Sequence, residues 1–236
     1  MHTQEITYHD GAAECIGYVA WADHATDAPA VLLAHDWSGR SEFVCEKARA
    51  LAELGYVGFA LDVYGGARLG ADPEENTAMM QPLLDDRAAL RSRLQAGLTA
   101  AQGLDVVDTA RIAAMGYCFG GLCVLDMARS GAPLRGVISN HGLLVPAEGI
   151  ANAAIEAKVL VLHGQADPMV PPEQVLAFEN EMTDAGADWQ VHSYGNTYHA
   201  FTHPEANDID SGILYNADAD RRSWETTLGF LRECFD

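Results

Sequence analysis

Positive charge is scarce in this chain. Lys and Arg number 14 against 34 Asp and Glu, a formal net charge of −20 over 236 residues. So acidic a surface repels phosphate backbones and anionic bilayers, which argues against nucleic-acid and membrane partners. Long apolar runs are also missing, and none approaches the roughly 20 residues that a membrane-spanning helix needs. The opening stretch MHTQEITYHDGAAE is polar and acidic, unlike a secretory leader, so a cytoplasmic location is expected. Cysteine is sparse. Cys15, Cys45, Cys118, Cys123 and Cys234 are an odd count without framework spacing, as in a reduced chain rather than a disulfide scaffold. Nucleotide and metal motifs are lacking as well. GARLG (66–70) has neither Gly-Lys-Ser/Thr nor a G-x-G-x-x-G pattern, and DIDSG (208–212) lacks the rest of an EF-hand loop. His199 and His203 stand at i, i+4, but Ala200 occupies the place of the glutamate in H-E-x-x-H. No metal and no cofactor are expected.

What is present is an alternation of strands and helices. Apolar residues make up 49% of the chain, enough to bury the core of one α/β domain over residues 1–236. Residues 3–10 and 14–21 read as a hairpin around Asp10-Gly11. Strands are then predicted over 28–36, 57–64, 111–117, 136–142, 158–164 and 189–195. Helices are predicted over 41–54, about 75–102, 119–130, 172–185 and 219–234. This order predicts a mainly parallel sheet of about seven to eight strands, flanked by helices on both faces. Ligands in such sheets bind beyond the carboxyl ends of the strands.

The candidates for chemistry all follow strands at that end. AAMGYCFGGLC (113–123) runs from an apolar strand through a turn into a helix, with Cys118 at the tip between Gly116 and Gly120. That is the G-x-Nuc-x-G pattern of a nucleophile elbow, with Gly121 expected to relax the turn further. The helix that begins there favours a thiolate, and the Phe119 N–H is placed to meet an oxyanion. Downstream, Asp167 follows the strand of LVLHGQADPMVP and His199 follows that of YGNTYHAF. The order nucleophile, acid, histidine is that of the α/β-hydrolases. In it His199 takes the thiol proton and Asp167 fixes the imidazole tautomer. The loop in LLAHDWSGR (32–40) offers the Trp37 N–H as a second oxyanion donor, and Asp36 directly behind the strand. His35, His141 and His163 close apolar strands and read as locally satisfied histidines.

With these pieces in place the chain resembles a dienelactone hydrolase, a small α/β-hydrolase with a cysteine nucleophile. The resemblance rests on HDWSG, DVYGG, MGYCFGG, HGQADPMVP and YGNTYHAF and spans nearly the whole chain. It implies the α/β-hydrolase fold, a Cys118–His199–Asp167 triad and an oxyanion hole from the Trp37 and Phe119 amides. It also implies that Asp36 stands where family members place a glutamate that tunes the thiol. Family members hold the dienelactone carboxylate with arginines, one in a His-Ser-Phe-x-Arg pattern. Here the run is His199-Ala200-Phe201-Thr202-His203, and PEENTAMMQPLLDD (73–86) also has no arginine. Met79, Met80, Phe201 and His203 are then expected around the substrate.

The expected activity is metal-free hydrolysis of small, neutral carboxylic esters or lactones through a covalent thioester. Neutral phosphotriesters are expected as promiscuous substrates, because their phosphoryl oxygen also gains negative charge during attack. The rival reading is a non-catalytic or redox-sensing relative that binds a small molecule; a peptidase is a weaker one.

Overall fold

A computed structural model describes residues 1–236. Eight strands hydrogen-bond in one mixed sheet: β1 (His2–Asp10), β2 (Ala13–Trp21), β3 (Ala28–Ala34), β4 (Val57–Ala60), β5 (Val107–Tyr117), β6 (Gly136–Asn140), β7 (Lys158–Gly164) and β8 (Trp189–Tyr194). Their order is β1-β2-β4-β3-β5-β6-β7-β8. Two short strands, β9 (Asn207–Asp208) and β10 (Ile213–Leu214), pair apart from it. Six helices complete the fold: α1 (Glu42–Glu53), α2 (Pro73–Asp85), α3 (Arg87–Gln102), α4 (Phe119–Arg129), α5 (Pro172–Asp184) and α6 (Ala217–Phe235). No helix is long and apolar enough to cross a membrane. The chain divides into two units, Met1–Met115 and Gly116–Asp236.

In the first unit β1 and β2 form the expected hairpin, with Asp10 opposite Ala13 at the turn. β2 runs antiparallel to β4, and β3 runs parallel to β4. Every residue of β4 is buried and β3 is nearly so, which is why both read as continuous apolar runs. The predicted strand over 57–64 stops at Ala60, because Asp62 turns the chain. Its buried carboxylate accepts the amides of Ile16, Gly65 and Ala67 at 2.9, 2.8 and 2.7 Å. Tyr8 Oη donates to the Asp62 carbonyl at 3.1 Å and accepts its amide at 3.0 Å. A buried carboxylate is tolerated because three donors replace its water.

The single helical stretch expected over 75–102 is two helices. Asp86, with φ −120° and ψ 81°, leaves the helical region and accepts the Ala89 amide at 2.9 Å. It therefore ends α2 and caps α3, a role for which aspartate is well suited.

In the second unit β6, β7 and β8 run parallel. All of α4 is buried, so this helix is apolar on every side, apart from Asp126 and Arg129. The Arg129 guanidinium makes two bonds to Glu181 of α5, at 2.8 and 2.7 Å, and donates to the Leu144 carbonyl at 2.7 Å. This two-pronged pairing compensates the buried charge and ties α4 to α5.

Candidate active site

The turn after β5 has the geometry that an exposed nucleophile requires. Cys118 has φ 53° and ψ −116°, a left-handed backbone that costs energy for any residue but glycine. Of the five cysteines it alone is not buried. Gly116 makes the turn possible: a Cβ there would lie 2.0 Å from the Gly120 carbonyl oxygen. Gly120 thus contributes the carbonyl that Gly116 must clear. The part expected of Gly121 needs correction. It does not relax the turn; a Cβ there would meet the Gly142 Cα at 2.7 Å, so it lets α4 pass close to the segment after β6.

Asp167 and His199 meet in the same unit. His199 Nδ1 lies 2.8 Å from Asp167 Oδ2, and both residues are almost completely buried. The other carboxylate oxygen accepts the Met169 amide at 2.8 Å, which fixes the acid. The His199 backbone is pinned on both sides: its N–H donates to the Gly212 carbonyl at 3.0 Å and its carbonyl accepts the Leu214 N–H at 3.1 Å. β9 and β10, which the sequence pattern did not reveal, therefore serve as the support of this histidine.

His199 Nε2 is buried and makes no hydrogen bond of good geometry. The sulfur of Cys118 nevertheless acts on its charge. Burial works to lower the proton affinity of His199; the charge of the Cys118 sulfur and the bond to Asp167 more than reverse it, and the pKa is pushed up to about 10. The imidazolium form is favoured between a carboxylate and a sulfur.

The remaining expected residues are placed as follows. Phe119 is the first residue of α4, directly after Cys118. Trp37 and Asp36 lie in the first unit, after β3. The Trp37 carbonyl accepts the Tyr64 hydroxyl at 3.0 Å, while Asp36 Oδ1 accepts both the amide and the hydroxyl of Ser38, at 2.7 and 2.6 Å. That oxygen holds its own turn. Met79, nearly buried, and Met80, half-buried, lie on α2. His203 is half-buried and its N–H closes a turn on the Ala200 carbonyl at 2.9 Å. Phe201 corrects the expectation of a pocket wall. It has no exposed surface and packs edge-on against His141, with ring centroids 5.2 Å apart. No group of three or more His, Cys, Asp or Glu side chains is arranged to hold a metal ion.

His141 belongs to the site although the sequence marked it only as a satisfied strand-end histidine. It is indeed satisfied, but its partner is the backbone of Cys118. Nδ1 accepts the Cys118 N–H at 3.1 Å, a donor shared with the Asn140 carbonyl at 3.0 Å. Nε2 lies 2.8 Å from Thr202 Oγ1. By contrast His35 accepts the Val63 amide at 3.1 Å and joins the segment after β3 to that after β4.

A strained cysteine between strand and helix, with a histidine–aspartate pair downstream, places the chain among hydrolases of the α/β-hydrolase fold. More narrowly, residues 16–235 match the model of the dienelactone hydrolase family, and the chain belongs to that family, whose members hydrolyse ester bonds. Among solved structures it is similar to a dienelactone hydrolase-like promiscuous phosphotriesterase from metagenomic libraries. The two are 36% identical with a TM-score of 0.94, covering 100% of this chain and 99% of the other. Among curated relatives it is 42% identical over 154 residues to the uncharacterized Caenorhabditis elegans protein K02A2.1, covering 64% of this chain and 98% of the relative. It is also 24% identical over 245 residues to a Yersinia pestis protein provisionally named a carboxymethylenebutenolidase, covering 99% of this chain and 89% of the relative.

Proposed function

We propose that residues 1–236 act as one hydrolase domain that cleaves small neutral carboxylic esters and lactones with Cys118, His199 and Asp167. The observation that carries this reading is the buried His199–Asp167 pair at 2.8 Å, in the same unit as the left-handed turn that holds Cys118 between strand and helix. The sulfur attacks the carbonyl carbon and the carbonyl electron pair moves onto oxygen, where the Phe119 amide is one donor. Collapse expels the alkoxide, which takes the His199 proton, and leaves a thioester on Cys118. Neutral His199 then draws a proton from water as the water attacks the thioester, and the sulfur departs as thiolate. Asp167 holds the ring through Nδ1 in both halves.

The substrate is read as neutral because His203 stands where the family pattern has an arginine and the chain carries a net charge of −20. Similarity to a promiscuous phosphotriesterase supports a second class of electrophile, activated phosphotriesters. There the sulfur forms a bond to phosphorus and the aryloxide leaves. Water then releases the phosphodiester, since thiolate is the better leaving group.

The test is steady-state hydrolysis of nitrophenyl esters and a nitrophenyl dialkyl phosphate by the full chain after exhaustive chelation. Multiple turnovers are expected for both, and none for Cys118→Ala. Turnover by Cys118→Ala defeats the cysteine mechanism. No turnover of any ester by the wild type favours a binding or redox-sensing role. A single phosphate burst equal to the enzyme concentration means inhibition and removes phosphotriesters from the range.

A further inference from the structure

We propose that His141 is a positioning residue, which in its neutral Nε2–H form ties the strained cysteine turn to the loop that carries the base. The inference rests on the reading of Cys118 and His199 as nucleophile and base.

The tautomer follows from the donors. A backbone N–H can only donate, so the bond from the Cys118 amide at 3.1 Å requires a lone pair on His141 Nδ1. In the neutral ring the proton then sits on Nε2, where the Thr202 hydroxyl accepts it at 2.8 Å. A proton on Nδ1 would face the Cys118 N–H head-on.

The two bonds join parts of the site that are far apart in sequence. Cys118 sits on a left-handed turn that has to be held in place by its surroundings. Thr202 is buried three residues after His199, in the same loop. The His141 ring also packs edge-on against the His199 ring at 5.2 Å, with Phe201 and Tyr117 around it at 5.2 and 6.0 Å. The ring therefore sets the position of the cysteine backbone, the histidine ring and the base loop together. His141 is 3% exposed, and its effect is on the separation of sulfur and imidazole. The commitment of the Cys118 amide to Asn140 and His141 also takes that N–H away from any oxyanion.

Two variants separate the two contacts from simple packing. His141→Leu removes both bonds. His141→Asn keeps an acceptor where Nδ1 stands and suits the left-handed backbone at this position, where φ is 38°. For a nitrophenyl ester, His141→Leu is expected to lower kcat by roughly 10²-fold with KM within about threefold, and His141→Asn to stay within about tenfold of wild type. Nitrogen NMR of labelled histidine in the wild type is expected to show an unprotonated Nδ1 and a protonated Nε2 on His141 wherever the enzyme is active, and this reading needs no variant to fold. Wild-type kcat in His141→Leu, equal losses in both variants, or a protonated Nδ1 would each overturn the proposal. Cys118→Ala is assayed beside them. If it retains turnover, the nucleophile reading has failed, and the nitrogen spectrum still decides whether His141 accepts from the cysteine amide. If it is inactive while His141→Leu is as fast as wild type, the nucleophile reading stands and the positioning role falls.

Discussion

Substituting Gly116 with alanine tests the strained turn with one added carbon. The new Cβ would lie 2.0 Å from the Gly120 oxygen, 2.2 Å from its carbonyl carbon and 2.8 Å from the Gly121 nitrogen. Ordinary contact begins near 3.4 Å, so 3.4 − 2.0, about 1.4 Å, of separation must be created. All three obstructing atoms are backbone, so no side chain can swing aside. Either the end of β5 or the first turn of α4 must shift, and Cys118 lies between them. Overpacking of this kind costs about 1–3 kcal/mol, which a folded domain survives. Catalysis is less tolerant, since a misplacement near 1 Å costs about 10²-fold. Gly116→Ala is therefore expected to lower kcat for a nitrophenyl ester at least about 100-fold while urea unfolding remains cooperative. Gly229→Ala is the control: it lies inside α6 with nothing within 4 Å of its added Cβ. It should gain about 0.5–1 kcal/mol from reduced backbone entropy and keep wild-type kcat. Wild-type rate and stability in Gly116→Ala would refute the argument that this glycine is required by the close approach of strand and helix.

Further perturbations address His199 and the fold. His199 should remain charged through neutral pH and lose its proton as pH rises towards about 10. Cys118→Ala and Asp167→Asn each remove an influence that raises this value while burial continues to lower it, so both should move the titration downward; an unchanged titration by NMR in Cys118→Ala would break the link between sulfur and imidazole. Asp86→Ala deletes the cap of α3 and should cost about 1 kcal/mol in urea unfolding with little effect on kcat; an unchanged midpoint would mean that the bond to Ala89 contributes nothing measurable.

The parts of the site that were legible in the sequence are those encoded locally. The elbow can be read because its glycines lie within five residues of Cys118 and an apolar strand precedes them. Asp167 and His199 can be read because each follows a strand, and strand ends in such sheets collect chemistry. The break at Asp86 was also written locally, as an aspartate that could cap a following helix, but helical spacing on both sides concealed it. β9 and β10 are two residues each, too short for any periodicity to show. Phe201 departs from the expectation because position beside His199 does not fix which way a side chain turns; its ring faces inward, onto His141.

His141 marks the limit of that kind of reading. A histidine closing an apolar strand is most often satisfied by its surroundings, and this one is. Whether satisfaction is mere housekeeping or part of the machinery depends on the partner's identity, and the partner is 23 residues away along the chain. Only the placement of β6 beside the cysteine turn determines it. The same ring that fulfils the bland expectation of a buried, hydrogen-bonded histidine is thus bonded to the amide of Cys118, at the tip of the strained turn. A Leu at this position would keep the volume and lose the acceptor, leaving a buried N–H on a strained turn with only the Asn140 carbonyl to hold it. The demand for a polar atom at Nδ1 comes from the geometry of the cysteine turn, and no pattern of neighbours around position 141 encodes it.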